Sequence, residues 1–415
     1  MPLHEIPLDI HREGLAETTL ELVSFDTANP PGETREIVEF LATEFAGFGL
    51  NTERVASDEA KPNLLATVPG RSPVTLLFSG HLDTVPCDAE GWSYDPLGER
   101  DGDRIYGRGA TDMKGAVAAM IELARAHAKR DRQPPVTLAF AFVSDEEVAG
   151  EAGVRTLIAE DRLDAAGCVI GEPTCTETAH SVTVADRGSI WLTLDAVGEA
   201  AHGSRPMLGE NAIDRLWAAV ETVRSRLAEY PLAIPGSFEP ILEESVGYYA
   251  ASMAEGDARR LFERPTVNLG RIEGGEAVNS VPRRARAELD IRLTAGIDTE
   301  DVLAEIEDWV GEFEGVSVAG ADWSVGTYEP PESPLVAATT AAASDVLGEG
   351  LYRRSATGGG DAKQLRDAGI PTVEFAAATD TAHACDEYTT VDALAATAAV
   401  YARLPEAFAR RKTGE

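Results

Sequence analysis

Lysine is nearly missing from this chain. Only five occur in 415 residues (Lys61, Lys114, Lys129, Lys363 and Lys412), and 36 basic residues face 71 acidic ones, a formal net charge of −35. A surface so short of positive charge repels nucleic-acid phosphates and anionic lipid, which argues against either as a partner. The same imbalance marks proteins that work in concentrated salt, where screening relieves self-repulsion, so a salt-rich cytoplasm is expected. Cysteine is scarce as well. The four present (Cys87, Cys168, Cys175, Cys385) show no Cys-x-x-Cys spacing, which points away from a disulfide framework or thiolate site and toward reduced thiols inside a cell. No run of about 18 apolar residues suggests a membrane span, and residues 1–5 show neither the basic nor the apolar stretch of an export signal.

What the chain does have is length. At 415 residues and 44% hydrophobic content it exceeds one ordinary core, so more than one domain is expected. In the first part, helical periodicity over 14–24, 33–49 and 114–129 alternates with strand-like runs at 63–68, 74–78, 136–143 and 168–170. That alternation argues an α/β layer with a largely parallel sheet, where ligands collect beyond strand C-termini. From about Val182 the pattern changes to long alternating segments, 188–196 and 285–293, around a helix at 211–228. This predicts a smaller α+β unit inserted into the first, ending after a helix at 299–313 and a strand near Val316. The proline-rich stretch 230–265 reads as irregular. The expected boundaries are 1–184 and 327–415 for the larger domain and 185–326 for the insert, with a helix at 334–347, a strand at 371–375 and a last helix from Val391.

Five metal-type side chains follow apolar runs or glycine turns: His81, Asp112, Glu147, Glu172 and His383. Two imidazoles and three carboxylates can hold a pair of divalent ions if one carboxylate bridges them. In His81-Leu82-Asp83, residues two apart on an extended strand share a face, so Asp83 is expected to accept a hydrogen bond from the imidazole and orient it. Asp112 follows two glycines before a helix, and a helix cap is its rival use. The run Asp145-Glu146-Glu147 ends an apolar strand, where three adjacent acids repel unless cations offset them. Glu147 is read as a ligand and Glu146 as the unliganded carboxylate that takes a proton from water.

The order of motifs then becomes specific. Ser79-Gly80-His81-Leu82-Asp83-Thr84-Val85-Pro86, Tyr106-Gly107-Arg108-Gly109-Ala110-Thr111-Asp112-Met113-Lys114-Gly115, Asp145-Glu146-Glu147 and Gly171-Glu172-Pro173-Thr174 are followed by Ala201-His202-Gly203-Ser204, Gly209-Glu210-Asn211-Ala212, Asn279-Ser280-Val281-Pro282, Asp290-Ile291-Arg292, Gly358-Gly359-Gly360-Asp361-Ala362 and His383. Over nearly the whole chain this resembles the di-zinc family of acetylornithine deacetylase, succinyl-diaminopimelate desuccinylase, carboxypeptidase G, aminoacylase and peptidase T. The resemblance implies His81, Asp112 and Glu172 on one zinc and Asp112, Glu147 and His383 on the other, with cobalt or manganese as alternatives. It also implies a cis Asp112-Met113 peptide, Glu146 as general base and then acid, and the insert as a lid through which a homodimer forms. His202 would reach across that dimer to the oxyanion, and Asn279, Arg292 and the turn Gly358, Gly359 and Gly360 would contact a substrate carboxylate. Two departures stand out: Gly360 where threonine is frequent, and Ala384-Cys385 where Ser-Pro is commoner.

The expected protein is therefore a cytoplasmic metal-dependent amidohydrolase acting on a small N-acyl amino acid, a succinyl-diaminopimelate desuccinylase or acetylornithine deacetylase. A carboxypeptidase or dipeptidase of the same fold is the alternative. A catalytically silent metal-binding protein has no use for an unliganded Glu146.

Overall fold

A computed structural model describes residues 10–130 and 132–413; residues 1–5, read above for an export signal, lie outside them. The chain forms two compact units, one taking the chain up to Val184 with Glu329–Arg354 and the chain from Gly360 on, the other Ala185–Tyr328 with Ser355–Gly359.

The first unit is built on an eight-stranded sheet. At its centre, Thr75–His81 runs parallel to Thr137–Val143 on one side and to Gly167–Ile170 on the other, and Gly167–Ile170 is parallel to Thr372–Glu374. Antiparallel strands flank this centre, among them Asn63–Val68 beside Thr137–Val143. The central strands are near-continuous apolar runs, as strands covered on both faces must be. Phe78, Phe140, Phe142 and Phe45 pack together, with Tyr401 against Phe78. The Gly115–Ala128 helix is buried over its first ten residues, all small or apolar except Glu122, which is the signature of a helix inside a protein rather than on it. Among the described residues no helix is long and apolar enough to cross a membrane.

The second unit is a four-stranded antiparallel sheet in the order Thr266–Gly274, Arg284–Leu293, Gly188–Val197, Val316–Ser324. Its two middle strands alternate buried and open positions, and Leu192, Leu194, Leu289 and Ile291 face Leu216, Val220 and Ile306 from the helices Ala212–Glu229 and Thr299–Val310. Asn211 and Asp298 start those helices by accepting from backbone N–H groups of the first turn, which would otherwise lack partners. The stretch expected to be irregular contains two helices, Glu239–Tyr249 and Glu255–Glu263. Pro240 lies in the first turn of the former, where its missing N–H costs no hydrogen bond.

Candidate metal centre

Three parallel strands deliver acids and an imidazole to one edge of the sheet. His81 closes its strand in register with Val143, Asp145-Glu146-Glu147 follow the end of the neighbouring strand, and Glu172 follows Gly167–Ile170. Glycine makes the close approach of Asp112 feasible. A Cβ on Gly80 would lie 2.8 Å from Met113 Cε, and one on Gly171 would lie 2.6 Å from Ala116 Cβ. The Asp112-Met113 peptide is cis.

The Asp112 carboxylate sits between the two histidines, Oδ1 at 3.2 Å from His81 Nε2 and Oδ2 at 3.2 Å from His383 Nε2. Glu172 Oε1 is 3.5 Å from His81 Nε2, and Glu147 Oε2 is 3.3 Å from His383 Nε2. The five side chains thus form two donor sets that share Asp112. Donor atoms converge closely: those of His81, Asp112 and Glu147 lie within 4.8 Å of one another, and so do those of His81, Glu146 and Glu172, which brings the candidate base up against the first set. Imidazole nitrogen and carboxylate oxygen in this mixture fit divalent zinc, cobalt or manganese.

Electrostatics tell the same story. Burial works against a charge on His81, yet Asp112, Glu172 and Glu146 outweigh it and hold the imidazole pKa well above its usual value. Burial pushes Asp112 up, and hydrogen bonds from His383 and His81 more than reverse it. Hydrogen bonds to Asp112 and Glu147 raise His383 to about 10. Glu146 is pushed up to about 8, first by burial and then by Asp361, Glu147 and Asp112 against the opposing pull of His81. A cluster of protein groups alone therefore retains protons where cations would sit. Metal uptake at neutral pH is expected to release protons, because ions displace the proton held by His383 and their charge draws off the one held by unliganded Glu146. Apparent affinity should accordingly rise with pH through about 8 and on toward 10. Titration calorimetry in buffers of differing ionisation enthalpy reads this directly, and a buffer-independent heat would contradict it.

One assignment needs correction. Asp83 was expected to orient His81 through its carboxylate, but His81 Nδ1 lies 2.9 Å from the Asp83 backbone oxygen and 3.8 Å from Oδ1. The reason is that the strand ends at His81, so the two-residue repeat of an extended chain no longer governs Asp83. Its buried carboxylate instead accepts the backbone N–H groups of Glu146 and Glu147, each at 3.2 Å, and Asn29 Nδ2 at 2.8 Å. Asp83 thus fixes the loop that carries the candidate base.

Several supporting roles escaped the sequence reading, which placed Asp145 only in a run of acids offset by cations. Asp145, with φ of 66°, turns away from the ligands, and its cation is Lys61 rather than a metal. Asn29 joins the two acids by donating to Asp145 Oδ1 at 3.0 Å as well as to Asp83. Glu387, fully buried, pairs with Arg108 and accepts the N–H groups of Thr111 and Asp112 at 3.0 and 3.1 Å. Of the scarce lysines, Lys114 is also buried, donating to Phe25 O at 2.8 Å. A signal existed for Glu387, which lies four residues past His383; none pointed to Asn29. Replacing Asn29 with Ala strips one donor from each of two buried carboxylates. Chemical denaturation should show a loss of about 1–3 kcal/mol, and unchanged stability would remove Asn29 from the network.

Gly360 Cα places a would-be Cβ 2.7 Å from Glu146 Oε1, so the glycine here gives the candidate base its room. Asp361 next to it is buried and pushed up to about 7 by burial. The remaining predicted contacts belong to the second unit, or to its boundary in the case of the Gly358–Gly360 turn. Arg292 holds Asp290 through Nε at 2.7 Å and Nη2 at 3.2 Å, Asn279 is exposed, and exposed His202 has Nδ1 3.1 Å from the Ser204 N–H.

The profile of Peptidase family M20/M25/M40 matches residues 77–407. The chain belongs to that family. A succinyl-diaminopimelate desuccinylase of Rhodospirillum centenum is 31% identical over 360 residues, covering 84% of this chain and 83% of the relative. Another desuccinylase so named, of Sphingopyxis alaskensis, is 29% identical over 93% of this chain and 96% of its own length. Among solved structures, an M20 family metallo-carboxypeptidase from Sulfolobus solfataricus aligns with a TM-score of 0.77 at 19% identity, covering 95% of this chain and 99% of that one. A tripeptidase from Staphylococcus aureus aligns with a TM-score of 0.73 at 21% identity, over 97% and 99%. As a member of that family the protein is a hydrolase of amide bonds, and its convergent histidine and carboxylate groups could hold metal ions.

Proposed function

We propose that the protein deacylates an N-acyl amino acid, as a succinyl-diaminopimelate desuccinylase or an acetylornithine deacetylase. The supporting observation is the 31% identity to a relative so named across 84% of the chain, together with an intact Glu146 beside the donor cluster. Two divalent ions, zinc in this reading, would be held by His81, Asp112 and Glu172 and by Asp112, Glu147 and His383, and would supply the Lewis acidity that acidifies water and polarises an amide carbonyl. Their charge would also draw the Glu146 pKa back down from about 8, making it an available base at neutral pH. Glu146 takes the proton of the attacking water and returns it to the leaving nitrogen. Asp83 and Gly360 keep that carboxylate placed and unobstructed.

Substrate recognition falls to the second unit in this proposal. Asp290 occupies Nε and Nη2 of Arg292, so Nη1 is the edge that meets a substrate carboxylate, with Asn279 beside the Gly203 backbone that donates to its carbonyl. His202 serves the oxyanion of a partner subunit. Its Nδ1 accepts the Ser204 N–H, so the neutral ring carries its proton on Nε2 and is a donor there. Trp217, 47% exposed, and Trp323, 39% exposed on the edge strand Val316–Ser324, support pairing through this unit, since an open strand edge and large apolar groups favour burial. All four cysteines are free thiols, in keeping with a cytoplasmic setting, and the −35 charge with one rich in salt.

A hydrolysis panel of N-succinyl-diaminopimelate, N-acetylornithine and C-terminal-Glu dipeptides, run with zinc or cobalt in high salt, tests the reading. Preference for an acyl substrate upholds it. Preference for the dipeptides makes the protein a carboxypeptidase or dipeptidase, and inactivity on all three overturns both.

A further inference from the structure

We propose that the first unit carries a second binding pocket, for a small phosphate-bearing molecule, at the edge of its sheet opposite the metal ligands. The cavity has a volume of about 430 Å³ and is lined by Arg71, Arg130, Arg132, Arg403, Arg410 and His127, within the range of roughly 300–1,000 Å³ typical of small-molecule sites. Two acids, Asp345 and Glu406, share the wall. Among the described residues of the lining, five arginines against two acids invert the composition of the chain, which has 36 basic and 71 acidic residues. In a molecule where positive charge is scarce, that concentration calls for a reason.

The local fold supplies the geometry. Arg71 precedes the Thr75–His81 strand and Arg132 precedes Thr137–Val143, so both lie at strand beginnings, whereas His81 and Glu147 lie at or past strand ends. Seven residues at about 3.3 Å each put the two edges roughly 20 Å apart. The loops are pressed together: Arg71 N–H donates to Pro134 O at 2.9 Å, and a Cβ on Gly70 would lie 2.2 Å from the Val136 carbonyl carbon. His127 comes from the last turn of the Gly115–Ala128 helix, and Arg403 and Arg410 come from Val391–Thr413. Helix C-termini attract cations, which would account for Arg130 and Arg410. It does not account for Arg71 and Arg132 on loops or for Arg403 within a helix.

His127 adds an independent observation. Among the described residues neither ring nitrogen has a hydrogen-bond partner, although both are sequestered from solvent. Burial, and then Arg130, push its pKa down to about 4, so at neutral pH the ring keeps one N–H seeking an acceptor. Both nitrogens are closed to solvent, so an oxyanion in the pocket would meet that N–H on a turn of the ring. One guanidinium satisfies a carboxylate in a bidentate pair, while guanidinium groups arriving from two loops and one helix suit the several oxygens of a phosphate. The −35 charge repels a nucleic-acid strand, so a small molecule, not a polymer, is the fitting ligand.

The test uses metal-loaded full-length protein and isothermal titration at fixed ionic strength with inorganic phosphate, adenosine monophosphate, citrate and a short single-stranded oligonucleotide. Saturable binding of phosphate and of the monophosphate is expected, weakened by about tenfold or more in an Arg130→Gln/Arg403→Gln double variant whose hydrolytic activity and melting temperature stay near wild type. A His127→Gln variant gives a second reading and should also weaken phosphate. No binding of either phosphate, or equal binding in the double variant, overturns the pocket. Citrate bound more tightly than both phosphates overturns the phosphate assignment, and an oligonucleotide bound more tightly overturns the small-molecule one.

Discussion

Replacing Glu146 with Gln is expected to lower turnover by about 100- to 10,000-fold, the usual span for a lost general acid–base group, while elemental analysis still finds two metal ions per chain. The amide matches the carboxylate in shape but cannot take a proton. Binding should survive because the five other side chains form the two sets that share Asp112, and Glu146 is needed by neither. His81→Ala, Asp112→Ala and His383→Ala make the contrast: in each of these metal content falls together with activity. A Glu146→Gln protein that loses metal would make Glu146 a ligand, and one that keeps a tenth or more of wild-type turnover would leave the base to be found elsewhere.

The second large effect concerns His202. Its replacement by Ala is expected to cost about 100- to 1,000-fold in turnover, as removal of one oxyanion donor does. The cause would lie between subunits, so complementation distinguishes it from local damage. Mixing inactive Glu146→Gln with inactive His202→Ala under conditions of subunit exchange creates a heterodimer in which one site has native Glu146 and receives native His202 from its partner. Activity should return in that mixture. If exchange is demonstrated and none returns, His202 does not act across a dimer.

How far the sequence reaches depends on where each residue sits relative to its element. His81, Glu147 and Glu172 are legible because each stands at or just past an apolar run, and Asp112 because glycines precede it. Reading the central strands required only their apolar runs, for the same reason. Asp83 was legible as important but not in its bonds, since the strand ends at His81. Asn29 and Lys61 were not legible at all. Asn29 meets Asp145 across 116 residues of chain and Lys61 meets it across 84, and no local pattern encodes a loop-to-loop contact. The helices Glu239–Tyr249 and Glu255–Glu263 were obscured by prolines, which mark a helix start as readily as a break.

The clamp of Glu387 on the Asp112 backbone spans 275 residues, and that has a consequence for the chain while it is being made. Closing so long a loop adds little entropy beyond a shorter one, about 0.6 kcal/mol per doubling, so separation is no burden to the finished fold. It matters in time. At about 5–20 residues per second, roughly ten seconds or more pass between synthesis of Glu172 and of His383. During that interval the ribosome carries a chain with one imidazole of the pair and no Glu387 to hold the Asp112 loop. On the proposed ligand assignment the hydrolytic centre is thereby withheld from the nascent polypeptide and its neighbours until most of the protein exists, a delay written into the order of those residues along the gene.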